Sequence, residues 1–183
     1  MRHARRVVVA LIAVLAAAAA ACGRPSATLA PYTNERFGYV ISTPSSYQRI
    51  DSQEGRRQWF LPAALPAGDV PEMRAADFIV VMSLDQPGPM PENDVRRMAM
   101  TLLPMHGVSG FQRMASSTSE IIWYHFELTG STAGREWASV GLLITGPQRL
   151  HYVVCAAPLA DWRQRQTLCD DVLRSFKPGP LTQ

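Results

Sequence analysis

Glu120–Ala157 reads EIIWYHFELTGSTAGREWASVGLLITGPQRLHYVVCAA. Three runs rich in β-branched and aromatic residues, Glu120–Thr129, Glu136–Thr145 and Leu150–Ala157, are separated by Gly130 and Gly134 and then by Gly146-Pro147. Extended runs broken by such turn residues predict two consecutive hairpins. The pairing register must keep side-chain faces consistent, because a slip of one residue turns every side chain of a strand to the other face. With Gly130–Gly134 and Thr145–Arg149 as the hairpin loops, Phe126 stands opposite Ala138 and Ala156, Tyr124 opposite Val140 and Val154, and Ile122 opposite Leu142 and Tyr152. That face is apolar throughout. The other face sets Trp123 by Gly141 and Val153, His125 by Ser139 and Cys155, and Glu127 by Trp137. It is mixed, and it carries Cys155.

Four more strand-like runs precede the hairpins: Arg36–Thr43, Arg57–Leu61, Asp77–Leu84 and Phe111–Ser116. Pro44, Gly55 and the Pro-rich 62–71 segment punctuate them. A helix is expected over Glu92–Leu103, with Pro91 at its start, Glu92 and Asp94 in its first turn, and Pro104 as its stop. Val95, Met98 and Leu102, with Met105 beyond, fall on one of its faces. A second helix is expected over Asp161–Phe176, where Trp162, Cys169, Leu173 and Phe176 make a stripe widened by Leu168 and Val172, and Pro178-Gly179 ends it. These stripes read as core rather than as a cofactor box. The element order is βββ-α-ββββ-α, an α+β architecture with an antiparallel sheet of six to seven strands packed between helical or loop layers.

The N-terminus has a different chemistry. Arg2, Arg5 and Arg6 precede Val7–Ala21, 15 residues without a charge or polar group, and Cys22 follows directly. The run is short for a bilayer-spanning helix, which needs about 20 apolar residues. A basic start, an apolar middle and a small-residue end are the parts of a secretory signal, so residues 1–21 are expected to be a signal peptide. A permanent N-terminal anchor helix is the alternative. Ala20-Ala21-Cys22 resembles the lipobox of bacterial lipoproteins, although Ala19 stands where that family prefers leucine. The resemblance implies cleavage before Cys22 and acylation of its thiol. Ordinary cleavage within the alanine run would instead leave Cys22 a stray thiol. Residues 22–31 then form a lipidated tether, and its nine residues after the cysteine could reach about 30 Å if extended.

This reading changes the charge balance. The chain of 183 residues carries 18 basic and 15 acidic groups, a net +3, at a pI near 9.0. Three of the arginines belong to the signal, so the mature chain balances 15 basic against 15 acidic groups. Nothing then argues for nucleic acid as a partner. A hydrophobic fraction of 47% excludes a disordered chain. Export also bears on the remaining thiols, Cys155 and Cys169, since a leftover pair in an oxidising compartment is expected to be bridged. A loop this short allows about 3 kcal/mol on chain-entropy grounds. A disulfide would also place the second helix over the mixed sheet face, because it holds the two Cα atoms within about 4.4–6.8 Å. Metal binding by His151 and Cys155 lacks a second close ligand pair, so no metal and no cofactor are expected.

RFGYVISTPSSY (Arg36–Tyr47) resembles the opening strand and turn of the PsbP-like fold, and HYVVCAAP with LCDDVLRSFKP (His151–Pro158, Leu168–Pro178) resembles its last strand and closing helix. The similarity covers residues 32–178, most specifically at the two ends, and leaves 179–183 as a tail. It implies an antiparallel sheet between helices, and a binding or assembly module of the cell envelope without a shared catalytic site. The expected partners are the membrane, through the lipid anchor, and an envelope protein or lipid whose identity the sequence does not specify.

The candidate binding surface is Trp59, Phe60, Leu61 and Leu65, at the start of a long apolar connection, with packing against the sheet as the alternative. The runner-up function is a small envelope hydrolase using His125 and Glu127, which share a strand face. A lipid carrier with an apolar cavity between sheet and helix is the third reading. His106-Gly107-Val108-Ser109-Gly110 lacks the Gly-x-Ser-x-Gly spacing of a nucleophile elbow. Phosphate-loop, zincin and EF-hand patterns are absent from the sequence. Arg56-Arg57 and Arg96-Arg97 read as solvated surface.

Overall fold

The computed structural model describes residues 27–63, 77–86, 90–101, 107–118, 120–132 and 134–179. Within these, strands β1 (Leu29–Asn34), β2 (Tyr39–Pro44), β3 (Tyr47–Ser52), β4 (Arg57–Pro62) and β5 (Phe78–Asp85) precede helix α1 (Glu92–Thr101). Strands β6 (Gly107–Arg113), β7 (Ile122–Thr132), β8 (Arg135–Thr145) and β9 (Arg149–Pro158) follow, then helix α2 (Trp162–Ser175) and a two-residue strand β10 (Lys177–Pro178). The fold is α+β with antiparallel pairing throughout. Seven strands form one sheet in the order β3-β4-β5-β9-β8-β7-β6, and β1-β2-β10 form a second, three-stranded sheet.

Both faces of the large sheet are covered, which its composition requires. Strands β5, β8 and β9 are nearly continuous apolar runs, and their side chains alternate between two cores. On one face Trp59, Phe78, Phe126, Trp137 and Tyr152 form one cluster with Val95 and Ala99 of α1. On the other, Phe60, Val81, Val140, Leu142 and Val153 pack under α2 and the small sheet, which contribute Val172, Leu173, Phe176, Tyr39 and Ile41. The layer opposite α1 is therefore part helix and part sheet.

Three strands lie where none was expected: β1, β3 and the two-residue β10, which pairs with β2 just past α2. Strand β1 begins at Leu29, inside the stretch read as tether. It holds Pro31 because it is an outer strand with one free side. Strand β3 is polar, YQRIDS, because it forms the outer edge of the large sheet.

The hairpin registers also differ from expectation. Pairing of β7 with β8 continues past Gly130, which faces Trp137, as far as Thr132 opposite Arg135. Only two residues turn the chain, and Gly134 takes φ +75° there, a value few other residues adopt. Phe126 consequently faces Gly141 rather than Ala138, a slip of three residues, and Ala138 faces Ala157 rather than Ala156, a slip of one. Both slips are odd, so β8 is turned over relative to its neighbours. Trp137 joins the α1 core, whereas Val140 and Leu142 join the Cys155 face. Neither face is exposed, so an apolar face opposite a mixed one could not identify the register.

Helix α2 is fastened at three places. Cys155 and Cys169 form a disulfide with their Cα atoms 5.3 Å apart. The hydroxyl of Ser175 accepts the N–H of Ser42 at 2.8 Å, joining the helix end to β2. Near its other end, Arg165 Nε lies 3.0 Å from a buried Asp77 carboxylate oxygen, to which the Tyr47 hydroxyl also donates at 2.6 Å. Asp77 is buried but Arg165 is half-exposed, so the pair positions the helix more than it stabilises the fold.

A second polar group in the core predicts a pH dependence. His151 is sealed beneath Tyr39 and Phe176, with ring centroids 5.7 and 5.5 Å from its own. Burial, and secondarily the Arg149 charge, lower its pKa from 6.5 to about 4. The native imidazole is thus neutral where the unfolded chain takes up a proton, so stability is full above about pH 6.5 and falls as the pH drops toward 4. The loss is expected to be on the order of 2–3 kcal/mol. Urea unfolding between pH 4 and 7 measures it, and His151→Gln should flatten that part of the profile.

Candidate functional site

Three of the four residues expected to form a binding surface are core residues. Trp59 and Leu61 point into the α1 core and Phe60 into the α2 core, all three buried. Period-two alternation in a strand covered on both faces leaves none of them facing solvent. Leu65 lies outside the described residues, as does Cys22.

The strand pair behind the hydrolase reading is not assembled as expected either. Ser139 belongs with Trp137 on the α1 side of β8, and its hydroxyl donates to the Leu128 carbonyl at 3.5 Å. His125 lies on the opposite face and is paired with Leu142. Glu127 is exposed beyond it, with its carboxyl carbon beside Gly110, where β6 bulges. A different serine–histidine pair, without a local sequence signature, joins β5 and β9, where Ser83 Oγ and His151 Nδ1 are 3.0 Å apart. Both residues are sealed in the core, and a nucleophile needs access to substrate.

An open site lies between α2 and the outer half of the sheet. A pocket of about 530 Å³ is lined by Met114 and Ser116 after β6, Trp123 and His125 on β7, and Leu142 on β8. Asp170, Leu173 and Arg174 of α2, with Phe176 just beyond it, close the other side. The space follows from the local sequence. Strands β7 and β8 extend beyond the helix that the Cys155–Cys169 bond holds over β8 and β9. Trp123 of β7 and Phe176, just past α2, meet there edge-on at 6.4 Å. His125 Nδ1 is shielded from solvent and has no hydrogen-bond partner among the described residues. Apolar and aromatic walls with a few convergent polar groups, at this volume, are the usual character of a small-molecule site. The pocket shows through the sequence only as the mixed face of β7.

A second cleft, about 340 Å³, separates the small sheet from the turn after β3. Its polar residues satisfy one another. Asn34 Nδ2 donates to Gln58 Oε1 at 2.9 Å, Gln58 Nε2 donates to the Tyr32 hydroxyl at 2.8 Å, and Asn34 Oδ1 accepts the Phe37 N–H at 3.0 Å. The network joins the two sheets and leaves little unmet demand for a ligand. Groups of three or more metal-ligating side chains do not occur among the described residues, nor does any helix long and apolar enough to cross a membrane.

No protein-family model matches the chain, and no curated protein does. Solved structures do. The chain is similar to cyanobacterial PsbP (CyanoP) from Synechocystis sp. PCC 6803, at 16% identity and a TM-score of 0.57, over 85% of this chain and 95% of that one. It is also similar to LpqN, described as involved in cell envelope biogenesis of Mycobacterium tuberculosis, at 12% identity and a TM-score of 0.53, over 84% and 91% of the two chains. At these identities the likeness establishes a PsbP-like fold, and a fold hosts many functions.

Proposed function

We propose that this chain is an exported, lipid-anchored envelope protein whose domain binds a small, largely apolar molecule without transforming it. The pocket between α2 and strands β7 and β8 carries this reading, because it offers an open apolar cavity and one unpartnered ring nitrogen at His125. A mainly protein-docking module would not need such a cavity, and an apolar space between sheet and helix is what a carrier requires. The hydrolase reading has less support, since Glu127 does not line the pocket and Ser83 is sealed away from solvent. Export and anchoring rest on Arg2–Cys22. Two acyl signals on Cys22 would suffice for stable attachment. One fold neighbour, LpqN, is described as involved in cell envelope biogenesis, which fits an envelope setting.

Native mass spectrometry of the full protein recovered from its own membranes tests the binding reading. The wild type should carry a bound small molecule. Ser116→Trp, which changes an exposed lining residue and fills the mouth, should be recovered empty. Recovery of the wild type without ligand, or of both proteins equally loaded, would defeat the reading. Cys22→Ser should shift the protein from the membrane to the soluble exported fraction and remove the acyl mass. An unchanged mass and fractionation would refute lipidation.

A further inference from the structure

We infer that the pocket between α2 and β7–β8 takes an organic cation, an ammonium group on an alkyl body. This inference rests on the binding reading above. Two charged side chains line the pocket, and they are not equivalent. Arg174 is already engaged, its Nη1 3.4 Å from Asp171 Oδ1 one turn back on the same helix. Asp170 has no hydrogen bond or ion pair among the described residues, so its carboxylate is the acidic group of the wall without a direct partner. The end of α2 adds to it. The last carbonyls of a helix carry partial negative charge, and the helix ends at Ser175, beside the Phe176 that lines the pocket.

The aromatic walls suit the same ligand. Trp123 and Phe176 both line the pocket, their rings meeting at 75° with centroids 6.4 Å apart. An ammonium ion over an aromatic face gains from the ring quadrupole, most strongly with tryptophan. Met114, Leu142 and Leu173 supply the apolar wall for an alkyl chain. A carboxylate or phosphate ligand would face the free Asp170 charge and the negative helix end, with Arg174 already shared.

Calorimetric titration separates this inference from the reading on which it rests. The full chain carrying Cys22→Ser, purified from the exported fraction without detergent, is titrated with octyltrimethylammonium, octanoate and 1-octanol at low ionic strength. The ammonium probe should bind at least tenfold more tightly than octanoate. Asp170→Asn should weaken the ammonium probe about tenfold and leave 1-octanol unchanged, and its thermal midpoint should match the parent because Asp170 has no partner to lose. If octanoate binds as well as the ammonium probe, or if Asp170→Asn has no effect, the cation inference is overturned while the pocket reading stands. If none of the three probes binds, both fail together.

Discussion

Trp59→Ala is expected to lower the unfolding free energy by about 3–5 kcal/mol, the range for emptying a large buried aromatic site. Trp59 is 1% exposed and sits edge-on to Phe78 at 5.4 Å, within the cluster that also holds Leu61, Val80 and Trp137. Its removal would leave a void in that cluster that neighbouring side chains, already fixed by the pairing of β4 with β5, cannot fill by local movement. A tryptophan on an exposed lip would behave differently. Its truncation would change stability by no more than about 0.5 kcal/mol and would show in ligand binding instead. Chemical denaturation of Trp59→Ala beside Ser116→Trp distinguishes the two roles. The first should lose stability. The second should lose only the ligand, because Ser116 is at the surface and lines the pocket.

The sequence patterns that located elements succeeded where one physical constraint dominated. Both helices fall within two residues of their expected ends, because Pro91 and Pro104 bracket one and a continuous apolar stripe marks the other. The long strands were legible for the same reason, as apolar runs between glycines. Strands β1 and β3 were not, since an edge strand is selected to look unlike a strand. The candidate site was misplaced by a related ambiguity. An apolar Trp-Phe-Leu run is compatible with either an exposed lip or a strand buried on both faces. Only the presence of a second covering layer, made of distant residues such as Tyr39, Ile41 and Phe176, decides between them. The pocket depends on where α2 stops short of the sheet edge, a three-dimensional fact with no local signature. His125 was visible as a polar residue on a mixed strand face, but its neighbours Asp170 and Arg174 are separated from it by more than forty positions.

The β7–β8 register makes the other large prediction, at Gly141. A β-carbon at this position would stand 2.3 Å from Phe126 Cζ, 2.6 Å from Cε2 of the same ring and 2.9 Å from the Val153 carbonyl oxygen. Phe126 lies across the glycine on the paired strand, stacked on Tyr152 at 5.5 Å and wholly buried. The ring therefore occupies space that any other residue at 141 would need. Gly141→Ala should cost about 3 kcal/mol, at the upper end for overpacking, because one of the colliding atoms is backbone and cannot rotate away. Gly141→Val should prevent folding. In the register where Gly141 faces Trp123, the same substitutions would instead strengthen a strand, since glycine weakens strand interiors. A double-mutant cycle gives the decisive measurement. Phe126→Leu alone should destabilise by opening a cavity, yet it should recover part of the Gly141→Ala loss, with a coupling of about 1 kcal/mol or more between the two sites. Strictly additive losses would mean that Phe126 does not cover Gly141, and the faces assigned to β8, with the pocket wall at Leu142, would have to be reversed.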